Sequence, residues 1–133
     1  MNFNWEDYLK LAHHLVDENN NYLEESSYRT SISRAYYSVF NMAKHHLIDS
    51  GEKLSKGADI HQQIPLLFES LSKQAQDKNK QRGLTRISIG LTILRRLRNK
   101  ADYDDKIKEL SKEATGVLIR AENVKDIIIS LRK

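Results

Sequence analysis

One proline and five glycines are all that interrupt 133 residues, and that scarcity of breakers excludes a fold built from short strands and tight turns. What the chain offers instead is long stretches in which apolar residues recur every three or four positions, the spacing of an amphipathic helix. A chain of this length forms a single domain, residues 1–133, that can bury one core without staples. With no cysteine, disulfides, thiolate catalysis and thiolate metal sites are excluded together, and the composition fits a reducing cytoplasm. The opening MNFNWEDYLK has no apolar stretch and is not expected to be a signal peptide. No run is long enough to span a bilayer, so no membrane role is expected.

The spacing predicts a first helix from about Asn4 to Glu25, with Trp5, Tyr8, Leu9, Ala12, Leu15, Val16, Tyr22 and Leu23 on one side. Ser26 or Ser27 is a suitable N-cap for a second helix that ends near Ser50, with Gly51 at C′. Its buried stripe is Ile32, Ala35, Tyr36, Val39, Phe40, Ala43 and Leu47, the strongest helical signal in the chain. Residues 51–58 read as a connection. A shorter third helix carries Ile60, Ile64, Leu67, Phe68 and Leu71, and Pro65 inside it requires either a late start or a kink. Residues 73–81 read as a turn. A last helix, about Asp105 to Leu131, buries Leu110, Ala114, Val117, Leu118, Ala121, Val124, Ile128 and Leu131.

The segment between is ambiguous. From Thr85 to Ile93 the odd positions are Thr, Ile, Ile, Leu and Ile, a period-two pattern that taken alone reads as a strand. A lone strand cannot satisfy its own backbone, so the segment is expected to be helical. The predicted architecture is an all-α antiparallel bundle of four long helices plus one short one. In a helix from Lys78 onward, Arg82, Arg86, Arg96 and Lys100 share a face with Ile89 and Ile93 between them. Two isoleucines on such a face imply burial against another helix or against a second copy.

Charge is unevenly distributed. The net charge is +4, yet residues 78–100 hold eight basic residues and no acid, leaving the remainder at about −4. Such a block suggests an anionic partner, nucleic acid first. Near its end, at about 100° per residue, Arg98 falls on the side of Leu84, Ile87 and Leu91, which should face the core. An arginine there is costly unless something needs it, and Asp102, one turn on, can neutralise it.

Classical hydrolytic motifs are missing: there is no glycine-rich phosphate loop, nucleophile elbow or HExxH pattern. The pairs His13-His14 and His45-His46 point about 100° apart on a helix and cannot each chelate one metal, so neither a metal nor a cofactor is expected. His46 borders the buried stripe and reads as a half-buried helix histidine. Tyr36 joins the core, whereas Tyr37 lies off the stripe, free to stack on a base or pack on a partner.

Ser33 to Phe40, SRAYYSVF, followed by LRRLRNKADYD from Leu94 to Asp104 and a final amphipathic helix, resembles the HEPN superfamily, named for a nucleotide-binding domain shared by higher eukaryotes and prokaryotes. The resemblance covers nearly the whole chain in helix order. It implies an all-α bundle that dimerises, and RNA-directed activity in toxin–antitoxin or phage-defence modules, often beside a small nucleotidyltransferase. In active members an arginine and a polar residue precede a histidine by a short spacer, and cleavage uses the RNA's own 2′-hydroxyl without metal. Arg98 and Asn99 match the start of that motif. Tyr103, Asp104 and Asp105 stand where the histidine should be, and neither tyrosine nor aspartate replaces a neutral imidazole near neutral pH without a large pKa shift.

Two expectations follow. In one, Arg98, Asn99, Asp102 and Tyr103 form an altered RNA site on a homodimer, with Arg82, Arg86, Arg95, Arg96 and Lys100 supplying electrostatic attraction. In the other, Arg98–Asp102 is a structural pair in a non-catalytic module that docks on a nucleotidyltransferase, an antitoxin or another effector.

Overall fold

The computed structural model describes residues 3–18, 23–57 and 59–132. Five helices follow in order: α1 (Glu6–Asp17), α2 (Glu24–Asp49), α3 (Ile60–Gln74), α4 (Lys78–Tyr103) and α5 (Leu110–Leu131). No strand occurs among the described residues, and the expected all-α bundle is the fold. Among these helices none is long and apolar enough to cross a membrane. α2 is the hub: α1 packs along it, α3 packs along α4, and α5 closes across α2 and α4.

The stripe expected on α2 is buried at every position, from Ile32 to Leu47. It meets Leu9 and Ala12 of α1, Ile64 and Phe68 of α3, Leu84, Ile87, Leu91 and Leu94 of α4, and the apolar side of α5 in one core. Each large side chain so buried contributes about 1.5–3 kcal/mol of transfer free energy. The end of α2 is sharp because Gly51 takes φ +89, where a side chain would be strained. The Gly51 and Glu52 amides then donate back to the carbonyls of Ile48 (3.0 Å) and Leu47 (2.9 Å), a complete Schellman cap.

Four serines sew the helices into two hairpins. Ser31 and Ser38 of α2 donate to the carbonyls of Ala12 and Trp5, each at 2.7 Å. Ser72 of α3 donates to the Gln81 carbonyl at 2.9 Å, and Ser88 of α4 donates to the Pro65 carbonyl at 2.8 Å. In each hairpin the later residue on one helix meets the earlier residue on the other, which makes both pairs antiparallel. In each, the two bonds lie seven residues apart on both helices.

Several boundaries differ from expectation. α1 stops at Asp17 rather than Glu25. An Asp-Glu-Asn-Asn-Asn run follows, and such side chains compete with helical hydrogen bonds. Tyr22 lies outside the described residues, and Leu23 is 51% exposed rather than buried. α2 therefore begins at Glu24, with Ser26 and Ser27 inside its first turns instead of capping it. Glu24 and Glu25 face the positive end of the helix dipole there. The first and third helices, of 12 and 15 residues, are thus both short beside three of 26, 26 and 22. α3 starts at Ile60, capped by Asp59, whose carboxylate accepts the His61 amide at 3.0 Å. A late start is therefore not how Pro65 is accommodated. The turn into α4 narrows to Ala75–Asp77, with Asp77 capping the Lys80 amide at 3.0 Å. α5 starts at Leu110, not Asp105.

The ambiguous segment is helical, and its burial shows why. Ile87 is fully buried and Ile89, two residues on, is 53% exposed; a strand would have put both on one face. Ile89 is not covered by the described residues. It sits with Arg86 and Arg120 on the rim of a groove of about 500 Å³ between α4 and α5. Under that groove Gly90 lets the helices approach: a Cβ there would stand 2.6 Å from Cγ2 of Val124.

Replacing Gly90 with alanine should therefore lower stability. Overpacking costs about 1–3 kcal/mol, more than the roughly 1 kcal/mol that alanine gains in helix propensity. Thermal melts should show a lower Tm for Gly90→Ala and recovery in Gly90→Ala/Val124→Ala.

A candidate anion site around Arg98

Arg98 projects from the last turns of α4 toward α2, and its side chain is only 14% exposed. Two of its nitrogens donate hydrogen bonds, and the third, Nε, faces a carboxylate as an ion pair without a hydrogen bond of its own. Nε lies 3.1 Å from Oδ2 of Asp102, Nη1 donates to Oδ1 of Asn99 at 2.5 Å, and Nη2 donates to the Tyr37 hydroxyl. Its carbon stands 4.9 Å from the Tyr37 ring centroid and 5.9 Å from that of Tyr36, within range of a cation–π contribution. The arginine that the sequence placed on the core side is thus held in a polar and aromatic cage, which offsets its desolvation.

Tyr36 and Tyr37 carry the cluster to a third helix. The buried Tyr36 hydroxyl lies 2.6 Å from Nδ1 of His61, in the first turn of α3. The imidazole is stacked on Phe40 at 4.5 Å and on Tyr36 at 5.7 Å, and meets Tyr37 edge-on at 6.0 Å. Burial holds the Tyr36 hydroxyl well above the usual tyrosine range against the pull of Arg95 and Arg98, so it stays protonated and can donate to Nδ1 of a neutral imidazole. With Tyr36 as the donor, the neutral imidazole carries its proton on Nε2. Burial, then the nearby charges of Arg95 and Arg98, lower the His61 pKa from 6.5. His61 is therefore neutral at pH 7, and an anion bound beside it would favour its protonation.

Asp59 completes the frame. Its carboxylate accepts from Arg95 at 2.8 Å as well as from the His61 amide, and the Arg95 hydrogen bond is the main cause of its lowered pKa. One carboxylate thus caps α3, aims His61 and ties both to α4.

Arg29, on α2, sets where α4 ends. Its Nη1 donates to the carbonyls of Ala101 (2.9 Å) and Asp104 (2.6 Å), and its Nη2 to that of Asp105 (3.1 Å). The last carbonyls of a helix have no partner within it and carry its negative end, and the arginine fork satisfies both needs. The chain held this way leaves the helical path at Asp104, and α5 begins only at Leu110, after Glu109 in the left-handed region (φ 52).

Of the residues singled out from the sequence, Arg98, Asn99 and Asp102 come together, and Arg95 joins them through Asp59. Tyr103 is 74% exposed, on the surface at the end of α4. Lys100 is paired with Glu113 of α5 at 3.2 Å. Arg82, Arg86 and Arg96 are exposed; Arg86 lines the α4–α5 groove and not the Arg98 cluster. Sequence reading passed over His61, Asp59 and Arg29. The one signal for His61 was its position two residues after a capping aspartate. His46 is half-buried and stacked on Phe68 at 6.2 Å, with burial lowering its pKa. Among the described residues no group of three or more metal-ligating side chains is gathered.

An all-α bundle with an arginine caged at the end of one long helix and two tyrosines on another defines a class of small helical domains. A family model described as HEPN domain matches residues 5–131, and the chain belongs to that family. An uncharacterised protein of the archaeon Methanocaldococcus jannaschii is 30% identical over 87 residues, covering 60% of this chain and 49% of that protein. The chain thus matches about half the length of that relative. No solved structure matches it.

Two outcomes follow from this geometry. Arg29→Ala should lose about 1.5–3 kcal/mol, the worth of charge-assisted hydrogen bonds, with Arg29→Lys recovering only part; denaturant unfolding checks both. For a base whose folded pKa is lowered, the unfolded chain binds more protons as pH falls below 6.5, so stability should drop with acidification there. Thermal melts across that range should show a shallower drop for His61→Gln.

Proposed function

We propose that this protein is an RNA-directed HEPN protein of a toxin–antitoxin or phage-defence module, acting as a homodimer, with metal-independent cleavage centred on Arg98 and His61. The observation that carries the reading is the meeting of Arg98 and His61 around the same two tyrosines. The histidine missing downstream of Arg98 has a spatial counterpart at the start of α3. Family membership supports the link to RNA, and the basic stretch of α4 supports attraction of a polyanion.

In the proposed reaction water takes the proton of the 2′-hydroxyl as its oxygen attacks the adjacent phosphorus, and the bond to the 5′-oxygen breaks. The products are a 2′,3′-cyclic phosphate and a 5′-hydroxyl. Arg98 stabilises charge on the phosphoryl oxygens. His61, protonated as the phosphate binds, donates a proton to the departing 5′-oxygen. Tyr36 orients the imidazole, and Asn99 and Asp102 hold the guanidinium.

One observation favours a second reading, a non-catalytic domain that docks on a nucleotidyltransferase or antitoxin: Asp102, Asn99 and Tyr37 already occupy Arg98. Cleavage of a fluorescent RNA panel in EDTA by wild type, Arg98→Ala and His61→Ala, with circular dichroism on each, separates the two. The ribonuclease reading expects wild-type cleavage that falls by about 10²–10⁴-fold in a folded His61→Ala. Absence of wild-type cleavage, with Arg98→Ala unfolding, would leave the docking reading.

A further inference from the structure

Arg34 lies one turn before Tyr37 on α2 and is half-buried. Its guanidinium carbon is 4.8 Å from the Tyr8 ring centroid of α1 and 5.5 Å from that of Tyr37. Unlike Arg95 and Arg98, which face Asp59 and Asp102, Arg34 has no carboxylate and no hydrogen-bond acceptor among the described residues. A guanidinium resting against aromatic faces keeps its in-plane N–H donors available, and those donors match phosphate oxygens in pairs. Tyr37 is the shared wall, with both arginine carbons within 5.5 Å of its ring centroid.

Beyond Arg34 the aromatic surface continues. Tyr8 meets Trp5 at 5.4 Å and Phe3 at 5.2 Å, and Phe3 is 51% exposed. The Ser38 bond to the Trp5 carbonyl fixes this corner of α1 against α2. The row from His61 and Arg98 through Tyr37 to Arg34 and Tyr8 therefore joins one cation already neutralised to one that is not.

We propose that Arg34 is a second phosphate subsite, receiving the phosphate that flanks the one at Arg98, with Tyr37 between the two. This rests on the RNA reading given above and adds to it a direction: the strand crosses α2 toward the Tyr8 corner and away from the α4–α5 groove. The exposed arginines Arg82, Arg86 and Arg96 then lie outside its path.

The test uses the full chain and three dinucleotides, UpA, pUpA and UpAp, each 2′-O-methylated so that it cannot be cleaved, competing against a labelled 2′-O-methyl oligouridylate. Wild type should bind one of the two end-phosphorylated forms about tenfold more tightly than UpA, the scale of a charge-assisted hydrogen-bond pair. Arg34→Gln should bring that ratio close to one, and Arg34→Lys should retain part of it. A merely structural role for Arg34 would weaken all three ligands together and leave the ratio intact, which overturns the proposal. Equal binding of all three by wild type overturns it too. If wild type fails to bind the oligouridylate at all, the RNA reading itself falls, a result seen before any variant is made.

Discussion

The grip of Arg29 on the end of α4 is the interaction on which the arrangement around the site depends. A helix of 26 residues ends with unpaired carbonyls and accumulated negative potential. Here a guanidinium from α2, its side chain 20% exposed, takes the Ala101 carbonyl of the last turn and the Asp104 and Asp105 carbonyls just past it. The same bonds stop α4, hold the turn that carries Arg98 and Asp102, and send the chain off toward α5. Since Arg29 sits two turns before Tyr36 and Tyr37 on the same helix, α2 fixes both the position of α4 and the aromatic wall against which Arg98 rests.

Arg98 illustrates how a bundle keeps a charge inside. Its partners are a carboxylate one turn on, a neighbouring amide and a hydroxyl from another helix. No single one would offset the desolvation of a guanidinium. Together they make its position specific, because the planar fork must meet all three at once. Arg95 follows the same logic with one partner, a carboxylate that also begins a helix.

The parts of this fold legible in sequence are those written at helical spacing. The α2 stripe, the glycine stop at its end and the Arg98–Asp102 pair each involve residues a turn or so apart, where periodicity carries the information. The ends of helices were less legible because they are decided elsewhere in the chain. Nothing near Asp105 says that the residues there form a turn rather than the start of α5; Arg29, 76 residues away, holds that turn. His61 is a similar case. Its chemistry depends on Tyr36, Arg95 and Arg98, and its own neighbourhood in sequence reveals only a helix start. The period-two run from Thr85 to Ile93 misleads locally and is resolved by its partners: Gly90 and Ser88 face inward because α5 and α3 come close there.

The serine bonds give the bundle a property that apolar packing alone would not. Greasy helices can slide past one another by a turn and still find ridges for their grooves. A hydroxyl bonded to one carbonyl has a single correct longitudinal setting, and each hairpin carries two such settings a heptad apart. Slippage in either hairpin would strand both buried hydroxyls at once, at about 1–3 kcal/mol apiece. The two hairpins therefore behave as locked rods, and a change of shape among these four helices is a tilt of one rod against the other, across the seam where the tyrosines, His61 and Arg98 meet.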